Sequence, residues 1–262
     1  MIGAIIGDYV GSIYEWHNIK TTEFPFFSPT CRFTDDSVMS IAVADALMNS
    51  LDMAATLRAY GRRYLGAGYG GRFRAWLLDD TIPDYGSFGN GSAMRASAAG
   101  WMAGTLEEAL ELARQSAMPT HSHPEGIRGA QVVAGCIWLL RHGADKPTLR
   151  NWVISQGYAL DFTIDEIRPV YKFDVTCQGS VPQAIEAFLE AEDFESAVRL
   201  GISIGGDSDT IACIAGALAE ACWGIPEAFV EHVISKMPEV LYRPLAAFEA
   251  KYAKSLPARD DL

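Results

Sequence analysis

The stretch GGDSDTIACIAGALAEACWG, residues 205–224, sets a cluster of carboxylates and hydroxyls directly against an apolar helix. Ser208 or Asp209 opens that helix and Gly224 stops it. The glycine pair before Asp207 permits a tight turn and a close approach to a ligand. Asp207, Asp209 and Thr210 offer the oxygen ligands that hard cations prefer. The same residues also read as a helix cap, because a helix N-terminus favours anions. A second stretch, FTDDSVMSIAVADALM at residues 33–48, is built alike. Val38, Ile41, Ala42, Ala44 and Leu47 fall on one helical face behind Asp35 and Asp36. Adjacent carboxylates are costly to bury without a cation. One such stretch is an ordinary cap. Two, far apart in sequence, can face each other and gather four carboxylates (Asp35, Asp36, Asp207, Asp209) and two hydroxyls (Thr34, Thr210), which suits a two-metal centre.

Helix signals dominate the rest of the chain. They predict helices near Met53–Tyr64 and Ser92–Met102, after Thr105, from Pro124 to a stop at Gly143, from Pro182, after Asp193, and from Pro226 and Pro238. Small residues recur in these helices and point to close packing near the centre. FDVTCQG, from Phe173, is the one tempting strand. No repeat or low-complexity linker divides the sequence. The expected fold is all-α, a compact many-helix assembly of one domain spanning residues 1–262.

Composition agrees. Hydrophobic residues at 49% can fill a large core, and charged residues at 21% fit a globular chain. A net charge of -12 argues against nucleic-acid binding by charge alone, so nucleic acid is expected only as a modified substrate. Five cysteines (31, 136, 177, 213 and 222) form no CxxC pair and read as reduced thiols. The apolar start, MIGAIIGDYVGS, lacks a basic region and is broken at Asp8, unlike a signal peptide. No apolar run is long enough to cross a bilayer. The expected setting is a cytoplasmic monomer without a membrane partner.

Three further segments carry chemistry. In GDYVGSIYE, residues 7–15, Glu15 reads as a solvated acid or a site acid, and Asp8 as a hydrogen-bonding residue in a buried turn. In GSFGNGSAMR, residues 86–95, Gly86, Ser87, Gly89, Asn90, Gly91 and Met94 lead into a helix. Its exposed N–H groups suit a phosphate, and Phe88 could stack on a base; an ordinary flexible loop has the same composition. It is neither a Walker A loop nor a dinucleotide fingerprint. In THSHPE, residues 120–125, His121 and His123 lack a third zinc ligand nearby, so a ligand-contacting or helix-entry loop is the better reading.

Taken together, GDYVGSIYE, FTDDS, GYGGRF, GSFGNGSAMR, THSHPEGIRGA and GGDSDTIACIAGALA resemble, in order, the ADP-ribosylglycohydrolases. The resemblance spans Gly3 to about Gly224. It implies an orthogonal all-α bundle with a binuclear Mg2+ or Mn2+ centre. It makes Thr34, Asp35, Asp36, Asp207, Asp209 and Thr210 the metal ligands. Glu15, with Asp35, Asp36 and Asp209, is implied in catalysis. Gly70, Gly71, Gly86, Ser87, Phe88 and His121 are implied in holding ADP-ribose, and the rest of the 86–94 loop is assigned with them. Ser208 stands where threonine is more usual, Phe88 where some members carry tyrosine, and the chain is shorter than many eukaryotic members. The expected reaction is hydrolysis of the bond between ADP-ribose and a modified target. Two rivals share the residues: a two-metal phosphohydrolase, and a non-catalytic ADP-ribose-binding member.

Overall fold

A computed structural model of the chain describes residues 1–257. Those residues form fifteen helices and no strand. In order they are α1 (Ile2–Gly11), α2 (Asp35–Met48), α3 (Met53–Arg63), α4 (Gly71–Leu78), α5 (Gly91–Met94), α6 (Ser97–Met102), α7 (Leu106–Ala117) and α8 (Pro124–Arg141). Then follow α9 (Lys146–Ser155), α10 (Ile164–Ile167), α11 (Cys177–Glu190), α12 (Phe194–Ser203), α13 (Ser208–Trp223), α14 (Glu227–Lys236) and α15 (Glu239–Tyr252). The all-α expectation holds.

The centre is α13. Every residue from Ser208 to Glu220 is buried, so over that span the helix has no solvent face and its apolar character runs all round. Helices α1, α8, α11 and α12 pack around it, and α15 packs on α2. Its tightest neighbour is α1, also buried throughout. The two helices run antiparallel: Gly3 faces Gly216 and Glu220, Gly7 faces Ala212, and Gly11 faces Asp209. A Cβ placed on Gly7 would lie 2.0 Å from the Ala212 carbonyl oxygen. Only glycine permits that approach, and it is what brings Asp8 beside the start of α13.

Several helix boundaries depart from the sequence reading. Asp8 sits inside α1 rather than in a buried turn, because the apolar start of the chain is itself a helix. The helix expected over Ser92–Met102 is two pieces, α5 and α6, broken at Arg95–Ala96. The helix expected from Pro182 begins at Cys177, capped by the Thr176 side chain. Proline at that depth removes only one backbone bond, so tertiary packing overrides the local signal. FDVTCQG contributes a single antiparallel bridge, Gly89 to Thr176, instead of a strand. Helices α4, α9 and α10 carry weak periodicity and were not among the expected elements. Thr105, Asp193 and Gly143 act at their expected helix ends. No helix among the described residues is long and apolar enough to cross a membrane.

Candidate active site

The N-termini of α2 and α13 meet at one end of the α1–α13 pair. Thr34 caps α2 by accepting from the Asp36 N–H, as its sequence position suggests. Asp207 is the N-cap position of α13 but makes no side-chain cap bond there. Its carboxylate is directed elsewhere: Asn90 donates to Asp207 Oδ2 at 2.6 Å and also bonds Ser180 Oγ at 2.9 Å. The turn that delivers Asp207 needs two successive positive φ values, 70° at Gly205 and 76° at Gly206. Side chains adopt that region with difficulty. Asn18 clasps this turn, donating to the Gly206 carbonyl at 2.9 Å and accepting from the Gly206 N–H at 2.8 Å. The same amide donates to the carbonyls of Tyr14 and Glu15, so the segment carrying Glu15 is tied to the turn carrying Asp207.

Two carboxylate triads result, each with one oxygen per residue within 4.8 Å of the others: Asp8, Asp36 and Asp209, and Glu15, Asp207 and Asp209. Asp209 is common to both. Asp35 lines the same cavity but lies outside both triads. Thr210 Oγ1 donates to Asp36 Oδ2 at 3.3 Å. Asp8 differs from the rest. It accepts from Thr34 N at 3.0 Å, Thr34 Oγ1 at 2.5 Å, Ser37 N at 3.1 Å and the Ser37 hydroxyl. With four donors its lone pairs are largely spoken for, so its work is to hold the Thr34–Ser37 turn. The sequence reading gave Asp8 a structural role but could not see which turn it held. Asn18 carries no sequence signal for this role, because its contacts with Gly206 span 188 residues.

Burial is the first cause of every shifted acid here. It raises Asp8, and it raises Asp35, Asp36 and Asp209 well above the usual carboxylate range, with neighbouring acids adding to the effect. Asp207 is pushed up to about 6 and Glu15 to about 7, Asp209 being the second cause for Glu15. Among the described residues no ion pair reaches any of these six acids. Asp36 Oδ1 is buried with no hydrogen-bond partner. Clustered buried carboxylates, an orphaned oxygen and an all-oxygen donor set fit a hard divalent cation. Asp36, Asp207 and Asp209, with Thr210 beside them, could hold it.

The acids form the floor of a cavity of about 370 Å3. Its walls include Gly70, Gly71, Ser87, Gly89, Asn90, Gly91, Met94 and His121, all singled out in the sequence. Gly86 and Phe88 do not line it. Phe88 stands 47% exposed at the rim against His123, ring centroids 5.3 Å apart. Thr34 lies behind the floor, bonded to Asp8. Across the mouth Trp16 stacks on Phe173 at 5.2 Å. A larger cavity, about 750 Å3, opens beyond Phe33 and Ala67, but no carboxylate lines it. Asp35, Asp36, Asp207, Asp209 and Glu15 line the smaller one.

Fold and cluster together define an all-helical protein built around a buried cluster of carboxylates that could hold a cation. The chain belongs to the ADP-ribosylglycohydrolase family, whose sequence profile matches residues 1–256. It is similar to ADP-ribosylhydrolase ARH3 of Xenopus tropicalis, 25% identical over 300 residues, covering 86% of each chain. The Homo sapiens ARH3 is 26% identical over 309 residues, covering 87% of this chain and 85% of the relative. ADP-ribosylarginine hydrolase Tri1 of Pseudomonas putida (strain GB-1) is 27% identical over 292 residues, covering 92% and 76%. A solved structure described as an ADP-ribosylglycohydrolase-related protein complex superposes with a TM-score of 0.71 at 22% identity. It covers 97% of this chain and 95% of its own, and shows the shared fold.

Proposed function

We propose that this chain hydrolyses the glycosidic bond between ADP-ribose and an acceptor, releasing ADP-ribose, with two divalent cations in the acidic cluster. The observation that carries the reading is the pair of carboxylate triads sharing Asp209 on the floor of a glycine-walled cavity. Family membership and the printed activities of the ARH3 and Tri1 relatives support it.

Thr34, Asp35, Asp36, Asp207, Asp209 and Thr210 are the ligand set of this proposal, with Asp8 as its positioning residue. Mg2+ or Mn2+ held there would supply Lewis acidity and positive charge at the distal ribose. The chain's own residues do the rest. Ser87, Gly89, Asn90, Gly91, Met94 and His121, with Gly70 and Gly71 opposite, line the cleft for the ribose and diphosphate. Gly86 turns the loop and Phe88 offers its exposed face to the adenine at the rim. Glu15, in one triad with Asp207 and Asp209, is placed to exchange a proton as general acid or base or to orient the leaving group. Asp35, Asp36 and Asp209 surround the carbon where positive charge grows as the bond breaks, which favours an oxocarbenium-like state. Buried free thiols at Cys31, Cys136, Cys177 and Cys213 support a cytoplasmic setting. A monomer is expected by size-exclusion chromatography.

The test is a panel of defined linkages, including ADP-ribosyl-arginine, ADP-ribosyl-serine, an ADP-ribosylated base and O-linked ADP-ribose. Each is assayed with Mg2+, Mn2+ and EDTA. Free ADP-ribose from at least one linkage, lost in EDTA, is the expected result. Cleavage only within the diphosphate makes the chain a phosphohydrolase. Tight ADP-ribose binding without turnover of any linkage makes it a binding protein.

A further inference from the structure

One wall of the cavity holds a buried cation with no acid to balance it. Arg95 is fully buried, and among the described residues no carboxylate pairs with it. Its NH2 group donates to the Ser116 carbonyl at 2.9 Å and to Thr120 Oγ1 at 3.0 Å, while its Nε finds no partner. Thr120, also fully buried, lies 2.7 Å from His121 Nδ1. The far nitrogen of that ring, Nε2, faces the glycine loop: Cβ atoms built on Gly89 and Gly91 would stand 3.6 and 3.2 Å from it.

We propose that Arg95 and Thr120 are positioning residues that lock His121 in the tautomer protonated at Nε2. That N–H then points into the cavity as a fixed donor to an anionic ligand oxygen. In the proposed function, on which the ligand's identity rests, this oxygen belongs to the ADP-ribose diphosphate.

The direction of the chain follows from what each group can do. A guanidinium only donates, so Thr120 Oγ1 accepts from Arg95 and keeps its own proton to give away. Given to Nδ1, that proton leaves Nε2 as the N–H nitrogen. The reverse arrangement sends the Thr120 proton to its other neighbour, the Tyr85 phenol, and aims a bare Nε2 lone pair at the cavity. It also turns the ring's N–H towards the Arg95 cation. The locked tautomer instead turns the Nδ1 lone pair towards Arg95 and the N–H towards the anion. Burial and the Arg95 charge both hold His121 well below its usual titration range, so the ring is neutral and its tautomer decides its role. Arg95 also adds an uncompensated positive charge behind the loop, in the direction that retains a diphosphate.

The first measurement is long-range 15N–1H NMR on the free wild-type protein. A single Nε2–H tautomer for His121 is expected. A dominant Nδ1–H tautomer or an imidazolium at neutral pH overturns the proposal. The second is ADP-ribose binding by calorimetry. Thr120→Val should give mixed tautomers and weaken binding about tenfold, the scale of one buried hydrogen bond. Thr120→Ser should restore both, and Tyr85→Phe should leave the tautomer unchanged. Wild-type tautomer and affinity in Thr120→Val overturns the relay, as does a tautomer switch in Tyr85→Phe. If wild type binds no ADP-ribose, the proposed function fails, while the tautomer arm still decides the relay on the free protein.

Discussion

Two buried acidic clusters sit at opposite ends of the same helix pair, α1 and α13, and they are satisfied in opposite ways. At one end Glu220 and Glu249 enclose the Met1 ammonium, at 2.9 and 2.7 Å. The Ile2 and Gly3 N–H groups complete the arrangement, donating to Glu249 at 2.9 Å and Glu220 at 2.8 Å. At the other end Asp35, Asp36, Asp207 and Asp209 lie close to Asp8 and Glu15, and among the described residues none of these six acids forms an ion pair. Of these two clusters, the fold neutralises with its own groups the one at the end away from the acidic cavity. Leaving the second cluster uncompensated costs stability, and under the proposed function the return is a site that recruits a cation from solution.

That contrast can be broken first at Asp209, which both triads share. Asp209→Ala should remove Mn2+ binding in a calorimetric titration and lower turnover by about a thousandfold or more. Unchanged Mn2+ binding in that variant would end the claim that this cluster is the metal centre. The opposite end predicts the opposite pattern. Glu249→Gln should cost about 3 kcal/mol of stability in urea unfolding, by leaving a buried ammonium underpaired. Its Mn2+ affinity should match wild type. If stability is untouched, the Met1 end is not the self-satisfied cluster described here. Glu15→Gln separates chemistry from metal: we expect about a hundredfold loss of turnover with metal binding retained. A fully active variant takes Glu15 out of the mechanism.

A further effect is in pH. Burial chiefly raises Glu220 from the ordinary glutamate value of 4.5 to about 7 in the folded chain. Its folded form therefore holds a proton that the unfolded form has released, and the stability this gives is lost as pH rises from about 4.5 through 7. Asp36 and Asp209 are raised as well, so in EDTA they contribute a loss of the same sign. Added Mg2+ should flatten only the part due to the acidic cluster, because it binds the ionised carboxylates. Glu220→Gln should flatten the remainder. Thermal melts across pH 5–8, with and without Mg2+, would show the two parts adding; a Mg2+ effect that disappears in Glu220→Gln would contradict their independence.

Much of the site was legible because its signals are local. Thr34-Asp35-Asp36 and Asp207-Ser208-Asp209-Thr210 each announce a helix start, and helix starts are governed by a few neighbouring residues. The glycine loop before Met94 could be read for the same reason. Helix boundaries blurred where packing outweighs propensity, as at Cys177–Pro182 and within Ser92–Met102. Asp8, Asn18 and Arg95 were out of reach as functional residues. Their hydrogen bonds join Asp8 to Ser37, Asn18 to Gly206 and Arg95 to Thr120, across 29, 188 and 25 residues. No spacing rule connects such positions.

The sequence by itself determined a helical protein, two acid-rich helix starts, a glycine loop and a family. Those follow from periodicity, capping and short motifs, which act over a turn or two of chain. Only the tertiary structure decided that Asp209 belongs to two triads while Asp35 stands apart. It alone made Asp8 a brace for the Thr34–Ser37 turn and gave one acidic cluster its own ammonium while denying the other any. The physical reason is the glycine face of α1. By letting two backbones touch, it fixes which charges share a low-dielectric space, and a charge's cost and use depend on that company rather than on its place in the chain.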